Sequence, residues 1–143
     1  MKGTKGALDK ISIGIETCAY GPLREKNGKF YAWPNDYGTV TIPAEKVFTL
    51  QRDFRGFTHF EKFDDDQIIS LEKLLEFLIK KYNIQVQESF DHTWFDFDEE
   101  VINSRVPGIW SHTTVRHDKF DLYPDNRIIE MLNRLAQKYS NNG

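Results

Sequence analysis

The chain alternates between two hydrophobic rhythms. In residues 11–16 (ISIGIE) every second position is isoleucine, so Ile11, Ile13 and Ile15 share one face while Ser12, Gly14 and Glu16 share the other. Period-two alternation predicts a strand, and the small residues opposite the isoleucines suit a strand that a ligand or cavity approaches. Gly21-Pro22 and Asn27-Gly28 carry turn chemistry, the second of hairpin type, ahead of the aromatic run Phe30, Tyr31 and Trp33. A short strand is predicted at 47–50. Helical spacing takes over at 64–82, where Ile68, Leu71, Leu74, Leu75 and Leu78 recur, Asp64, Asp65 or Asp66 can cap the start, and Lys80 and Lys81 suit the end. The chain then turns acidic and irregular through 91–100. A short strand is predicted at 108–112 (GIWSH), a loop at 113–124 closed by Pro124, and a second amphipathic helix from 125 to about 139. That helix buries Ile128, Ile129, Leu132, Leu135 and Ala136. Residues 1–10 show no period and read as a loop.

Strands separated by helices predict an α/β or α+β class, with a central mixed sheet flanked by helices. A length of 143 residues predicts one domain with one core. The net charge of -3 argues against a general nucleic-acid binder, which needs a basic face. A lone cysteine, Cys18, excludes an intramolecular disulfide, and its place after an apolar alternation predicts a buried structural thiol. No stretch has the length and apolarity of a membrane span, and the start MKGTKGALDK lacks the apolar core of a signal peptide. The expectation is a chain that is cytoplasmic as synthesised and needs delivery to any target beyond the membrane. The acidic run DFDEE (96–100) lacks the glycine and ligand spacing of a calcium loop and reads as a solvated face.

One segment concentrates chemistry: Ser111-His112, then Arg116, Lys119 and Asp121, then Pro124. A histidine nitrogen and an aspartate oxygen brought together on one loop are suitable zinc ligands. A cation such as Lys119 beside them can stabilise a carbonyl oxygen under attack, and Glu16 at a strand end is a candidate proton acceptor. Each has an ordinary alternative, because loop histidines, Lys-x-Asp pairs and terminal carboxylates are commonly solvated or salt-bridged. Trp110 alternates onto the face of His112 and either floors the site or packs. Arg116 either binds a peptide carboxylate or pairs with Asp118. Phe30, Tyr31, Trp33 and Tyr37 either wall a glycan or peptide groove or fill the core.

The run ISIGIETCAYGPL resembles a segment of the zinc-dependent N-acetylmuramoyl-L-alanine amidases, a family that includes phage endolysins and is related to peptidoglycan recognition proteins. The resemblance continues through GKFYAW, Arg55-Gly56, the helix DDDQIISLEKLLEFL and PGIWSHTTVRHDKFDLYP. In order and spacing it covers nearly the whole chain from about Lys10 to the final helix. It implies an amidase-like fold and hydrolysis of the amide between N-acetylmuramic acid and L-alanine in peptidoglycan. It further implies that His112 and Asp121 are the second and third zinc ligands, that Lys119 assists the attacked carbonyl, and that Glu16 orients or deprotonates the zinc-bound water.

The family's first zinc ligand is a histidine on a strand well upstream of the ISIGIE segment. Only ten residues precede that segment here, and none is histidine. Of the other histidines, His59 and His92 are poor substitutes, and His117 is the nearest replacement through H-x(4)-H. The resemblance therefore implies an N-terminally truncated domain that binds Zn2+ weakly or not at all alone, and that a complementing N-terminal amidase fragment could complete. A shortened or mis-started reading frame, a recombinant piece, and a catalytically inactive module that binds peptidoglycan or muropeptide through the same groove are the other expectations.

Overall fold

The computed structural model describes residues 11–34 and 40–140. Five strands, β1 (Pro22–Lys26), β2 (Lys29–Ala32), β3 (Thr41–Ile42), β4 (Val47–Phe54) and β5 (Phe57–Glu61), form one sheet in the order β3-β2-β1-β5-β4. Every pairing is antiparallel. Four helices follow: α1 (Asp65–Tyr82), α2 (Glu99–Asn103), α3 (His112–Val115) and α4 (Asn126–Tyr139), with 3-10 turns at Ala44–Lys46 and His92–Phe95. The fold is a mixed α and β arrangement built on an open antiparallel sheet.

Turn chemistry sets the two tight hairpins. Asn27 and Gly28 have φ 53 and 74°, and Arg55 and Gly56 have φ 55 and 88°. Positive φ at both central positions is the mark of the type I′ turn, whose twist matches that of paired strands. Helix α1 opens on a capping box, in which Asp64 and Gln67 satisfy each other's backbone N–H groups, and closes on Asn83 in the left-handed conformation. Helix α4 opens on buried Asp125, whose carboxylate accepts from the backbone N–H of Arg127 and from its guanidinium.

The main core lies between one sheet face and the helices. Phe60, fully buried, stacks on Tyr123 at 4.5 Å, and Tyr123 stacks on Phe63 at 5.3 Å. Burial pushes the Tyr123 hydroxyl pKa up, which keeps it a donor to the Glu61 carbonyl at 3.0 Å. Met131, Leu132 and Leu135 of α4 complete this layer. The opposite sheet face carries a smaller cluster of Leu23, Ala32 and Ile42. Helices α1 and α4 are also tied by a two-bond pair from Arg134 to Glu72 at 2.9 and 2.7 Å.

Several expectations change. Residues 11–16 form no strand, and Ile11, Ile13 and Ile15 are 58, 51 and 36% exposed. Alternation makes a segment competent to pair, but a strand also needs a ladder partner, and the described sheet offers it none. Residues 108–112 are likewise no strand: Gln87 and Trp94 side chains, in place of a neighbouring strand, satisfy Ile109. The expected loop begins as helix α3. The sheet is antiparallel where a mixed one was expected, and the strand expected at 47–50 runs on to Phe54. Cys18 is exposed, because its segment lies outside the sheet that would have buried it. Leu74 is exposed on α1, while Met131, outside the expected set, is buried on α4. Tyr37 and residues 1–10 lie outside the described residues. Among the described residues no helix is long and apolar enough to cross a membrane.

Candidate functional site

The site grows from a short turn with three buried hydroxyls. Ser111 caps α3 by accepting from the Thr114 backbone N–H at 2.9 Å. Its Oγ also bonds the hydroxyls of Thr113 and Thr114, each at 2.8 Å, and the Thr114 hydroxyl donates to the Trp94 carbonyl. With Ser111, Thr113 and Thr114 all buried, His112 is the residue of this turn left pointing outward. Downstream, Phe120 packs on Trp33 at 5.3 Å and Phe57 at 5.4 Å, while Tyr123 enters the core. Asp121, between these two anchors, projects outward.

The result brings His112 and Asp121 together. His112 Nδ1 lies 2.7 Å from Asp121 Oδ2, with the two side chains 42 and 57% exposed. A carboxylate can only accept, so Nδ1 carries the proton of this bond. The two donor types suit zinc, but their number does not. Among the described residues no group of three or more histidine, cysteine or acidic side chains could hold a metal ion. Their spacing is also that of a hydrogen bond, since two ligands on one tetrahedral zinc would stand about 3.4 Å apart. His117, the replacement weighed for the missing ligand, makes a T-shaped ring contact with Phe97 at 5.5 Å. His59 bonds Thr49 at 3.0 Å and packs on Phe30, and His92 sits in the 3-10 turn.

The remaining candidates are placed less favourably. Glu16 is exposed in the irregular stretch before β1. Among the described residues no hydrogen bond joins it, or the Lys119 side chain, to the His112–Asp121 pair. Arg116 makes two bonds to Asp118, at 2.6 and 2.5 Å, which hold the Asp118 carboxyl far below the usual carboxylate range. Trp110 donates its indole N–H to the Val106 carbonyl at 2.9 Å and packs against the main core. The ion pair weighed for Arg116 and the packing weighed for Trp110 are both present. Trp33 lies against Phe57 and Phe120 while 36% exposed, and Phe30 packs against His59.

A residue outside the expected set holds the site loop. Arg55 donates from Nη1 to the carbonyls of Arg116 at 2.8 Å and Lys119 at 2.6 Å, and from Nη2 to that of Thr113 at 2.8 Å. Burial lowers the Arg55 pKa, opposed by the charges of Asp96, Asp118 and Asp121. In the sequence it shows only as an arginine preceding a glycine, the Arg55-Gly56 step of the resemblance, with no role attached to it.

No family model matches this chain, and no curated protein or solved structure is detectably similar to it.

Proposed function

We propose that this chain contributes the His112–Asp121 part of a zinc-dependent amide-hydrolysing site directed at peptidoglycan, at the bond between N-acetylmuramic acid and L-alanine. The observation that carries the reading is the convergence of these two side chains at 2.7 Å across nine residues, outward-facing, on a loop whose neighbours are buried. The ordered resemblance along the chain supplies the substrate. In this reading Lys119 lends positive charge to the attacked carbonyl oxygen, and Glu16 takes a proton from the attacking water. Trp110 and Arg116 would meet the substrate, Arg116 by exchanging Asp118 for a peptide carboxylate.

Two described donors fall short of a zinc site, so the reading requires a third from outside the described residues. It also requires residues 11–16 to be drawn into pairing, which would cover Ile11, Ile13 and Ile15 and move Glu16. A single complementing N-terminal segment meets both requirements. The shortage of ligands itself favours a second reading, a muropeptide-binding module without turnover.

Zinc stoichiometry of the purified chain, with and without an added N-terminal amidase fragment, separates them when combined with release of L-alanine-linked peptides from peptidoglycan. Zinc and release only with the fragment are the expected result, lost together in His112→Ala and Asp121→Ala. Glu16→Ala should keep zinc and lose release. Muropeptide binding without zinc under either condition would establish the binding module, and neither binding nor release would end both readings.

A further inference from the structure

Arg55 occupies a position that suits few side chains. It is the first central residue of the β4–β5 turn, with φ 55°, where Asn, Asp or Gly meet the demand for positive φ with less steric conflict. The hairpin does not need an arginine there. The side chain leaves the turn and crosses to the site loop, where its three acceptors, the carbonyls of Thr113, Arg116 and Lys119, stand three residues apart between His112 and Asp121. Loop carbonyls gathered on one planar guanidinium cannot spread apart, so the loop is bent around Arg55 and its two ends are brought toward each other. A conformationally costly residue whose side chain makes its bonds elsewhere is the pattern of backbone strain retained for a site.

We propose that Arg55 is the positioning residue of this site: by clamping three carbonyls of the loop, it sets the curvature that lays Asp121 against His112 Nδ1. The importance of the pair rests on the hydrolase reading, but the clamp does not. The same three bonds would shape the loop for binding without turnover.

The test reads the histidine ring directly. A ring donating to Asp121 is the Nδ1–H tautomer, whereas a released neutral imidazole in water is mainly Nε2–H, and ring 15N shifts distinguish them. The full chain, treated with chelator and held at a pH where the ring is neutral, is compared with Arg55→Asn, Arg55→Lys and Asp121→Ala. Asn suits the turn better than Arg but cannot reach the loop, so it separates a turn role from a clamp role. The expected result is Nδ1–H in the parent, a shift most of the way to the Asp121→Ala spectrum in Arg55→Asn, and a partial shift in Arg55→Lys. Amide exchange at 113–119 should rise at least about tenfold in Arg55→Asn, while β5 and α4 keep their protection.

A folded Arg55→Asn with the parent tautomer and exchange overturns the proposal, as does a parent ring in the Nε2–H form. Should Arg55→Asn fail to fold, Arg55→Lys decides, and an unchanged tautomer there overturns it. Zinc binding and peptide release play no part in the readout. A shifted tautomer beside failed hydrolysis therefore removes the hydrolase reading and leaves the clamp standing.

Discussion

The sheet and the segment between α1 and α4 solve the same problem by different means. In the sheet, formed by residues within 22–34 and 40–61, backbone groups satisfy one another in ladders, and two of the connections are two-residue turns. In residues 83–125, where only short helices and a 3-10 turn form, side chains do much of that work. Gln87 bonds both the N–H and the carbonyl of Ile109, at 2.9 and 2.6 Å, and Asn133 does the same for Phe90, at 2.9 and 2.8 Å. Trp94, Trp110 and Arg55 each donate to loop carbonyls. A ladder tolerates most changes of side chain because its bonds belong to the backbone. A loop held by individual side chains loses a bond with each one removed, and that loop carries His112 and Asp121.

The largest effect that tests this contrast is expected at Gln87. Gln87→Ala removes both bonds to Ile109 and leaves its N–H without that acceptor in a part-buried place, a loss of about 1–3 kcal/mol in urea unfolding. Gly108 provides an internal control. At φ 150° it adopts backbone that side chains disfavour, and a Cβ added there would lie 2.9 Å from the Gln87 amide. Gly108→Ala should therefore destabilise the parent, and should do so less in the Gln87→Ala background, where only the backbone cost remains. Equal costs in both backgrounds would show that the Gln87 amide does not restrict this stretch.

The same contrast explains which parts were legible in sequence. Asn27-Gly28 announced its turn because few other residue pairs accept two positive φ angles, the first long helix showed its cap, and both long helices showed their period. Residues 11–16 and 108–112 misled because alternation records competence to pair and says nothing of whether a partner strand is present. His112 and Asp121 could be read as a pair from residue type and spacing. Glu16 could not be placed with them, since that depended on a strand the described residues do not form. Arg55 was hidden for a physical reason: its acceptors are backbone carbonyls some sixty positions away, and every residue has one.

A smaller effect is expected where side chains join elements at the surface of the helical layer. The Arg134 bonds hold the Glu72 carboxyl below its ordinary pKa against the opposing effect of burial. A carboxyl depressed in the folded state adds stability above the unfolded pKa of about 4.3, and that stability is lost as pH falls through the folded value. Arg134 is half exposed, so the contribution should stay below about 1 kcal/mol. Glu72→Gln should therefore be slightly less stable at pH 7 and converge with the parent as pH falls below about 4. Parallel stability curves for the two proteins across that range would show that the pair adds nothing to folding.

The smallest effect is expected in the sheet, where it carries the most information about the contrast. Lys29 is exposed on β2 directly opposite Lys26 of β1, so two like charges face each other beside the Asn27-Gly28 turn. Lys29→Thr leaves the backbone ladder intact, relieves that opposition and introduces a residue that favours strands. Stability should change by less than about 0.5 kcal/mol, toward the stable side, with amide protection in β1 and β2 unchanged. A loss comparable to that of Gln87→Ala would mean that side chains hold the sheet as they hold the loop. The difference between the regions would then be one of appearance, and the sensitivity of the site loop to single substitutions would need another cause.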